Sequence, residues 1–153
     1  MSDLAIPGRL LPATPPAAME RVRALEAQVR ELPQVQIPTD HVIHAGLYAR
    51  TICIPANVVI TGAEIARATL LVFDGHAAVT IGDATQELAG RHVLPASAGR
   101  KQAFLALADT HLTMLFATDA TDVATAEAQF TSEPDALMSR APDAINTITI
   151  TGD

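Results

Sequence analysis

Residues 73–104 decide the fold, and they read FDGHAAVTIGDATQELAGRHVLPASAGRKQAF. Gly75, Gly82, Gly90 and Gly99 divide this stretch into short segments, in which β-branched and other apolar residues alternate with polar ones. Glycine adopts positive φ at little steric cost, so it is typical of tight turns between antiparallel strands. Strands this short are not stable alone. The pattern therefore predicts an all-β chain whose strands close into a barrel or a sandwich.

The same glycines carry a resemblance to the cupin superfamily. In that family a strand ends at a glycine, a hairpin follows, and a segment from glycine through proline to glycine leads into the next strand. The residues that fall close to these positions are Gly75, Gly82, Gly90, Pro95 and Gly99. Together with residues 47–50 and 109–122, they make residues 32–130 similar to small cupin-like proteins of tailed phages and prophages. The resemblance implies a cupin-like double-stranded β-helix, or jelly-roll, barrel.

An N-terminal arm and an α-helix are predicted for residues 1–32, ahead of a barrel domain at residues 33–130. Thr14 is the expected N-cap and Pro15 the first helical residue. Apolar residues recur every three or four positions on one face of the helix, namely Val22, Leu25, Val29 and Leu32. This face can lie on the barrel or form the seam of a homodimer, and two heptads are marginal for a free coiled coil.

A linker and an extended strand are predicted for residues 131–153, after a short C-terminal helix at residues 122–130. Residues 145–151 alternate isoleucine with threonine or asparagine, which is a strong strand signal. A strand that a linker separates from its domain must pair with some sheet edge. We favour exchange of this strand between subunits, and pairing within the chain is the alternative. The expected partner is thus another copy, in a homodimer or higher oligomer joined through the N-terminal helix and the C-terminal strand.

The composition excludes several functions. The chain has 17 acidic and 10 basic residues, a formal charge of −7, and its basic residues are scattered, so no nucleic-acid partner is expected. Cys53 is the single cysteine, which excludes an intramolecular disulfide. Aromatic residues make up only 3%, too few for a site built on stacking. Without a signal pattern or an apolar run of about 20 residues, we expect no membrane span and a cytoplasmic or, by the phage resemblance, virion-associated protein.

The metal ligands that the resemblance would imply are missing. Metal-dependent cupins use two histidines and a glutamate near the first motif and a third histidine in the second, because imidazole and carboxylate suit Fe, Mn, Ni and Zn. With Gly75 as the glycine that closes the first motif, the glutamate position falls at Ala68, and residues 45–75 contain no histidine. Gln102 occupies the histidine position of the second motif. We therefore expect no metal, no cofactor and no catalytic residue.

Five polar residues are candidates for a ligand site at the mouth of the barrel. His111 and Thr113 share one face of a predicted strand, and Gln102 lies on the hairpin partner of that strand. Arg67 is the one charge in an otherwise uncharged stretch, and it can pair with an anionic ligand or with Glu64. Each residue also has a plain structural interpretation, such as a hydrogen-bonded histidine or a surface arginine.

Taken together, the sequence favours a non-catalytic protein. It contains no nucleophile elbow, phosphate loop, dinucleotide-binding glycine motif or His-Glu-x-x-His sequence. We expect a structural, assembly or accessory protein that acts as a homo-oligomer, of phage or prophage origin by the resemblance. The alternative is a small-molecule-binding module with a polar barrel mouth. A metal-dependent enzyme with non-standard ligands is a third hypothesis.

Overall fold

The computed structural model describes residues 10–152 of the 153-residue chain. Residues 1–9 of the predicted N-terminal arm lie outside this range. The elements follow in the order α1 (Pro16–Val29), β1 (Thr39–His44), β2 (Leu47–Ile54), β3 (Val59–Thr61), β4 (Thr69–Ile81), β5 (Ala84–Ala96), β6 (Ala103–Ala106), β7 (Thr110–Ala117), α2 (Val123–Phe130), two short 3-10 helices (Pro134–Ala136 and Met138–Arg140) and β8 (Asn146–Ile150).

The eight strands form one sheet that curls into a half-barrel. Their order is β3-β6-β4-β7-β2-β1-β8, and β5 lies along the other edge of β4. Neighbouring strands are antiparallel, except that β8 runs parallel to β1. This architecture confirms the predicted all-β fold with an N-terminal helix, a short C-terminal helix and a C-terminal strand.

The core lies on the concave face of this sheet, where alternate residues of the strands are buried, most regularly on β7. On β7, Leu112, Met114 and Phe116 are buried, while the residues between them are at least partly exposed. Tyr48 and Phe130 stack at the centre with ring centroids 6.4 Å apart, and both are almost fully buried. Burying a large apolar side chain stabilises a fold by about 1.5–3 kcal/mol. The buried ring of Phe130 thus attaches helix α2 to the concave face of the sheet.

Two of the four glycines that were expected to end strands lie inside them. β4 runs through Gly75 and β5 through Gly90, and the two glycines are paired across the strands. Gly82, with a φ of 60°, occupies the hairpin turn, and Gly99 lies in the loop before β6. A Cβ atom at Gly75 would lie 2.6 Å from the Cα of Thr110. The predicted turn at Gly75 is therefore wrong, because this glycine allows β7 to approach β4 closely.

Helix α1 is shorter than the predicted helix over residues 15–32. Pro15 is its N-cap, and the prediction of Thr14 is wrong, because the Thr14 hydroxyl instead accepts a hydrogen bond from the backbone N–H of Lys101 at 2.9 Å. Ala18 and Val22 are buried, and the helix packs on β3. Of the two arrangements that the sequence left open, the structure has the helix lying on the sheet.

The C-terminal elements start where the sequence predicts. The Asp122 carboxylate caps α2 by accepting a hydrogen bond from the backbone N–H of Thr125 at 2.7 Å. β8 pairs with β1 of its own chain, with Ile148 opposite His41, and all five of its residues are exposed. Within residues 10–152, no helix is long and apolar enough to cross a membrane.

Candidate binding cavity

A cavity of about 170 Å³ lies on the concave face of the half-barrel. Paired strands supply its apolar walls: Ile52 of β2 lies opposite Leu112 of β7, and Leu71 of β4 lies opposite Met114. Leu137, which follows the first 3-10 helix, completes the wall on the C-terminal side. An engineered apolar cavity of about 150 Å³ holds benzene, so this one has room for a molecule of that size.

Three cationic side chains also line the cavity, and the first of them is the partly buried Arg50. Its guanidinium donates to Glu127 Oε2 and to Ser139 Oγ, each at 2.9 Å, and lies 5.4 Å from the centre of the Phe130 ring. Glu127 in turn accepts from Arg140 Nε at 2.8 Å. Burial alone would raise the pKa of Glu127, but the hydrogen bonds from Ser139, Arg140 and Arg50 bring this pKa below its ordinary value. Arg50 is thus fully matched by a buried carboxylate.

Lys101 is the second cation, and it is also matched. Its side chain is only 2% exposed, and Nζ donates to Glu26 Oε2 at 2.9 Å and to the carbonyl oxygen of Gly62 at 2.8 Å. Since Glu26 belongs to α1, this ion pair attaches the helix to the segment before β6, and the bond to Gly62 links that segment to the loop after β3. The pair is therefore a structural contact at the rim of the cavity.

Arg100 is the third cation, and no carboxylate of residues 10–152 forms an ion pair with it. It is 2% exposed; one terminal nitrogen donates to the carbonyl oxygen of Ser97 at 2.8 Å and the other to Thr69 Oγ1 at 2.7 Å. Its Nε is buried without an acceptor in the described part of the chain. Burial lowers the pKa of Arg100 to about 10, so the group remains charged at neutral pH. The cavity therefore borders on one unmatched positive charge.

The backbone holds Arg100 in place on both sides. The Ile65 N–H donates to the Arg100 carbonyl oxygen at 2.8 Å, and the Gly99 N–H donates to the Ile65 carbonyl oxygen at 2.7 Å. Gly99 itself has a φ of 79°, a conformation that L side chains rarely adopt. This glycine and the short bridge to Ile65 position the arginine between β5 and β6.

A second cleft of about 320 Å³ lies beside α1, next to β3 and residues 32–37. It shares Glu26, Ile60 and Thr61 with the inner cavity, so the two adjoin. The charged groups of this cleft are Glu26 and Arg30, whose side chains pair at 3.6 Å. Arg100, a buried cation without an ion pair among residues 10–152, lines the inner cavity and not this cleft, so the inner cavity is the stronger candidate site.

Of the five predicted site residues, the structure brings Gln102 alone to the cavity. Gln102 is buried and donates from Nε2 to the carbonyl oxygen of Thr80 at 2.9 Å. His111 and Thr113 lie on the opposite, outer face of the sheet, where Thr113 bonds Thr51 Oγ1 at 2.8 Å. The reason is the alternation of β7, which turns Leu112, Met114 and Phe116 inward and the residues between them outward.

The two charged candidates also lie away from the cavity. Arg67 places its guanidinium 4.5 Å from the centre of the Phe116 ring and donates to the carbonyl oxygen of Ala117 at 3.2 Å. Glu64 pairs with Arg23 of α1 at 2.8 Å, and more than a third of each side chain is exposed. Neither residue lines the cavity.

The sequence analysis missed the buried charges, namely Arg50, Arg100, Lys101 and Glu127. The one local signal was the adjacent pair Arg100 and Lys101, which lies between a glycine and an apolar strand. The same pair is also typical of a solvated loop, so the sequence alone does not indicate that these charges are buried. Among the residues that the structure describes, no group of three or more histidine, cysteine, aspartate or glutamate side chains converges as a metal site would need.

No protein-family model matches the chain, and no curated protein matches its sequence. Solved structures do resemble it. A cupin superfamily protein from Desulfitobacterium hafniense is 16% identical, with a TM-score of 0.46, over 58% of this chain and 84% of that one. KdgF from a Halomonas species is 18% identical, with a TM-score of 0.46, over 59% and 86%. A cupin 2 conserved barrel domain protein from Leptotrichia buccalis is 11% identical, with a TM-score of 0.45, over 56% and 43%.

Proposed function

We propose that this chain is a non-catalytic, cupin-like binding module that takes a small molecule into the cavity of its half-barrel. The cavity itself carries the proposal, because it combines about 170 Å³ of space and apolar walls with a few buried polar side chains. Sites for small molecules generally have this composition: apolar walls provide affinity, and a few polar groups fix orientation. The sequence analysis placed the small-molecule site at the mouth of the barrel. Gln102 is the one candidate residue that belongs both to that predicted site and to the cavity.

The non-catalytic part of the proposal is based on the sequence. Metal-dependent cupins need histidine and glutamate ligands, and this chain has Ala68 and Gln102 at two of the positions concerned. Neither alanine nor a glutamine side chain held by Thr80 supplies the imidazole or carboxylate that such chemistry uses.

The test is a titration of the isotope-labelled protein with toluene, followed by two-dimensional NMR. Toluene is neutral and of the size that the cavity admits, so it should shift the amide signals of Ile52, Leu71 and Met114. Leu112→Phe fills the cavity and should abolish these shifts. Leu115→Phe makes the same change on the same strand but outside the cavity, so it should leave them intact. Binding that survives Leu112→Phe would place the ligand elsewhere and contradict the proposal.

A second candidate function is the structural, assembly or accessory role in a homo-oligomer, in the cytoplasm or, if the phage resemblance holds, in a virion. The observation that favours it is β8, which pairs on one edge only within residues 10–152. Ile148 and Ile150 of this strand are about half exposed. An edge strand with free backbone groups and exposed isoleucines is a template for pairing with a second copy.

Truncation tests this second candidate. Removing residues 145–153 should lower the molar mass measured by light scattering from that of an oligomer to that of a monomer. Removing only residues 151–153 leaves β8 in place and is the control. An unchanged mass in both variants would show that the strand does not join subunits.

A further inference from the structure

One of the cations that line the cavity has no carboxylate partner among residues 10–152. Two carboxylates line the cavity, Glu26 and Glu133, and Glu133 pairs with Arg23 at 3.6 Å. Arg50 and Lys101 each have a carboxylate oxygen at 2.9 Å, from Glu127 and Glu26. Among residues 10–152, Arg100 has only the carbonyl oxygen of Ser97 and the hydroxyl of Thr69 as partners. A buried charge without a counter-charge is costly, so folded proteins generally pair it. One buried cation at the cavity thus lacks its anion.

Arg100 also has hydrogen-bonding capacity to spare. A guanidinium carries five N–H groups, and Arg100 uses two of them in contacts within the described residues. Its Nε, which is buried, has no acceptor there. The planar fork of a guanidinium matches the two oxygens of a carboxylate, and charge-assisted bonds of this kind are strong and directional.

The cavity restricts what the anion can be. One unmatched positive charge calls for one negative charge, whereas a doubly charged phosphate would leave a negative charge buried in turn. The rest of the wall consists mainly of aliphatic side chains such as Ile52, Leu71 and Leu112, which favour an apolar body. The volume of about 170 Å³ limits that body to roughly the size of a benzene ring.

We propose that the ligand of this cavity is a small apolar monocarboxylate, whose carboxylate is bound by the guanidinium of Arg100. This inference rests on the proposed function and specifies the chemical class of its ligand. It also assigns a role to a residue that the fold alone does not explain, because the contacts of Arg100 to Ser97 and Thr69 do not neutralise its charge.

The experiment uses the full chain and three probes of nearly the same shape: benzoate, benzamide and toluene. Calorimetry at pH 7 gives the dissociation constants. We expect benzoate to bind at least 10-fold more tightly than benzamide, because hydrogen bonds between charged groups are stronger than neutral ones. This comparison uses the unmodified protein and so does not depend on any variant folding.

Arg100→Met is the decisive variant. It should lower the affinity for benzoate at least 10-fold and leave that for benzamide and toluene unchanged. Arg91→Met removes an exposed arginine on β5 that does not line the cavity, and it should change none of the three. In Arg100→Lys the charge remains but the fork is lost, so benzoate affinity should fall between those of the wild type and Arg100→Met.

Each outcome separates the inference from the proposed function. If benzamide or toluene binds in the cavity as tightly as benzoate, or if Arg100→Met leaves benzoate affinity unchanged, the carboxylate inference is overturned while the binding module stands. If no probe shifts the signals of Ile52, Leu71 and Met114, both are overturned. If benzoate binds but Leu112→Phe does not weaken it, the anion sits on the surface and the inference is also overturned.

Discussion

Arg50 and Arg100 are two guanidinium groups on the same cavity with opposite surroundings. Arg50 donates to a buried carboxylate, a serine hydroxyl and a tyrosine hydroxyl, and it faces the Phe130 ring. Arg100 is buried still more deeply, and its acceptors in the described part of the chain are all neutral. Arg50 therefore lies in a completed network, in which its charge is paired with a carboxylate. Arg100 lies in an incomplete network, which contains no carboxylate of residues 10–152.

The completed network holds the C-terminal part of the chain on the barrel. Glu127 belongs to α2, Arg50 to β2, and Ser139 and Arg140 to the second 3-10 helix, so one carboxylate joins three segments. The incomplete network joins only Thr69, at the start of β4, and Ser97, just after the end of β5. Arg100 connects few segments of the chain and is nevertheless buried. Its position is therefore better explained by the binding of a ligand than by a contribution to stability.

The largest effect should come from removing the shared carboxylate. Glu127→Gln leaves Arg50 buried without a counter-charge and weakens the contact to Arg140, so the free energy of unfolding should fall by about 3 kcal/mol or more. Urea denaturation followed by circular dichroism measures the change. Asp135→Asn is the control, since Asp135 also binds Arg140 but its side chain is 96% exposed, and its midpoint should stay near that of the wild type. Equal effects of the two variants would contradict the comparison.

Replacing the two arginines by methionine compares them directly. Arg50→Met removes charge-assisted bonds to Glu127 and should destabilise the fold by about 2 kcal/mol. Arg100→Met removes an unmatched buried charge, so in the absence of ligand its stability should stay within about 1 kcal/mol of the wild type or rise. The same denaturation experiment measures both. A larger loss for Arg100→Met than for Arg50→Met would show that Arg100 serves the fold.

Acid should weaken the completed network. The pKa of Glu127 is lower in the folded chain than its ordinary value, so the unfolded chain binds a proton more readily. The stabilisation is fully present above the ordinary carboxyl pKa of about 4.3 and is lost as the pH falls through the lower, folded value. Unfolding free energies between pH 6 and pH 3 should therefore decline more steeply for the wild type than for Glu127→Gln. Parallel curves would show that Glu127 does not contribute.

The smallest effect concerns His41, which is buried between Tyr48 and Asn146. Burial lowers the pKa of His41, although the bond to Asn146 raises it in part. Because the unfolded chain takes up the proton first, stability should be complete above the ordinary histidine pKa of about 6.5 and decrease as the pH falls through the folded value. His41→Gln should remove this decrease, measured as melting temperature from pH 8 to pH 5. His44→Gln, an exposed histidine in the same strand, should retain it.

Alternation along the chain predicted much of the fold. Leu112, Met114 and Phe116 alternate with His111, Thr113 and Leu115, and this local pattern correctly predicted strand β7. The alternation of residues 145–151 likewise predicted β8, and the polar residues after β7 predicted the cap of α2. Such features depend on residues close in sequence, so the sequence contains them directly.

The roles of individual glycines could not be predicted in the same way. Gly82 and Gly75 look alike in the sequence, yet one forms a turn and the other admits Thr110 from a different strand. The difference depends on which strand comes to lie beside β4. Local pattern contains no information about that neighbour, so the turn was placed wrongly at Gly75.

By itself, the sequence determined the all-β class, the two helices, the strands β7 and β8 and one residue of the cavity, Gln102. Only the tertiary structure decided that Arg50 is paired with Glu127 while Arg100 has no counter-charge among residues 10–152, and that His111 and Thr113 face outward beyond the cavity wall. The physical reason is range. Alternation and capping act over a few residues, whereas the pairing of buried charges depends on distances between groups that only the folded chain brings together.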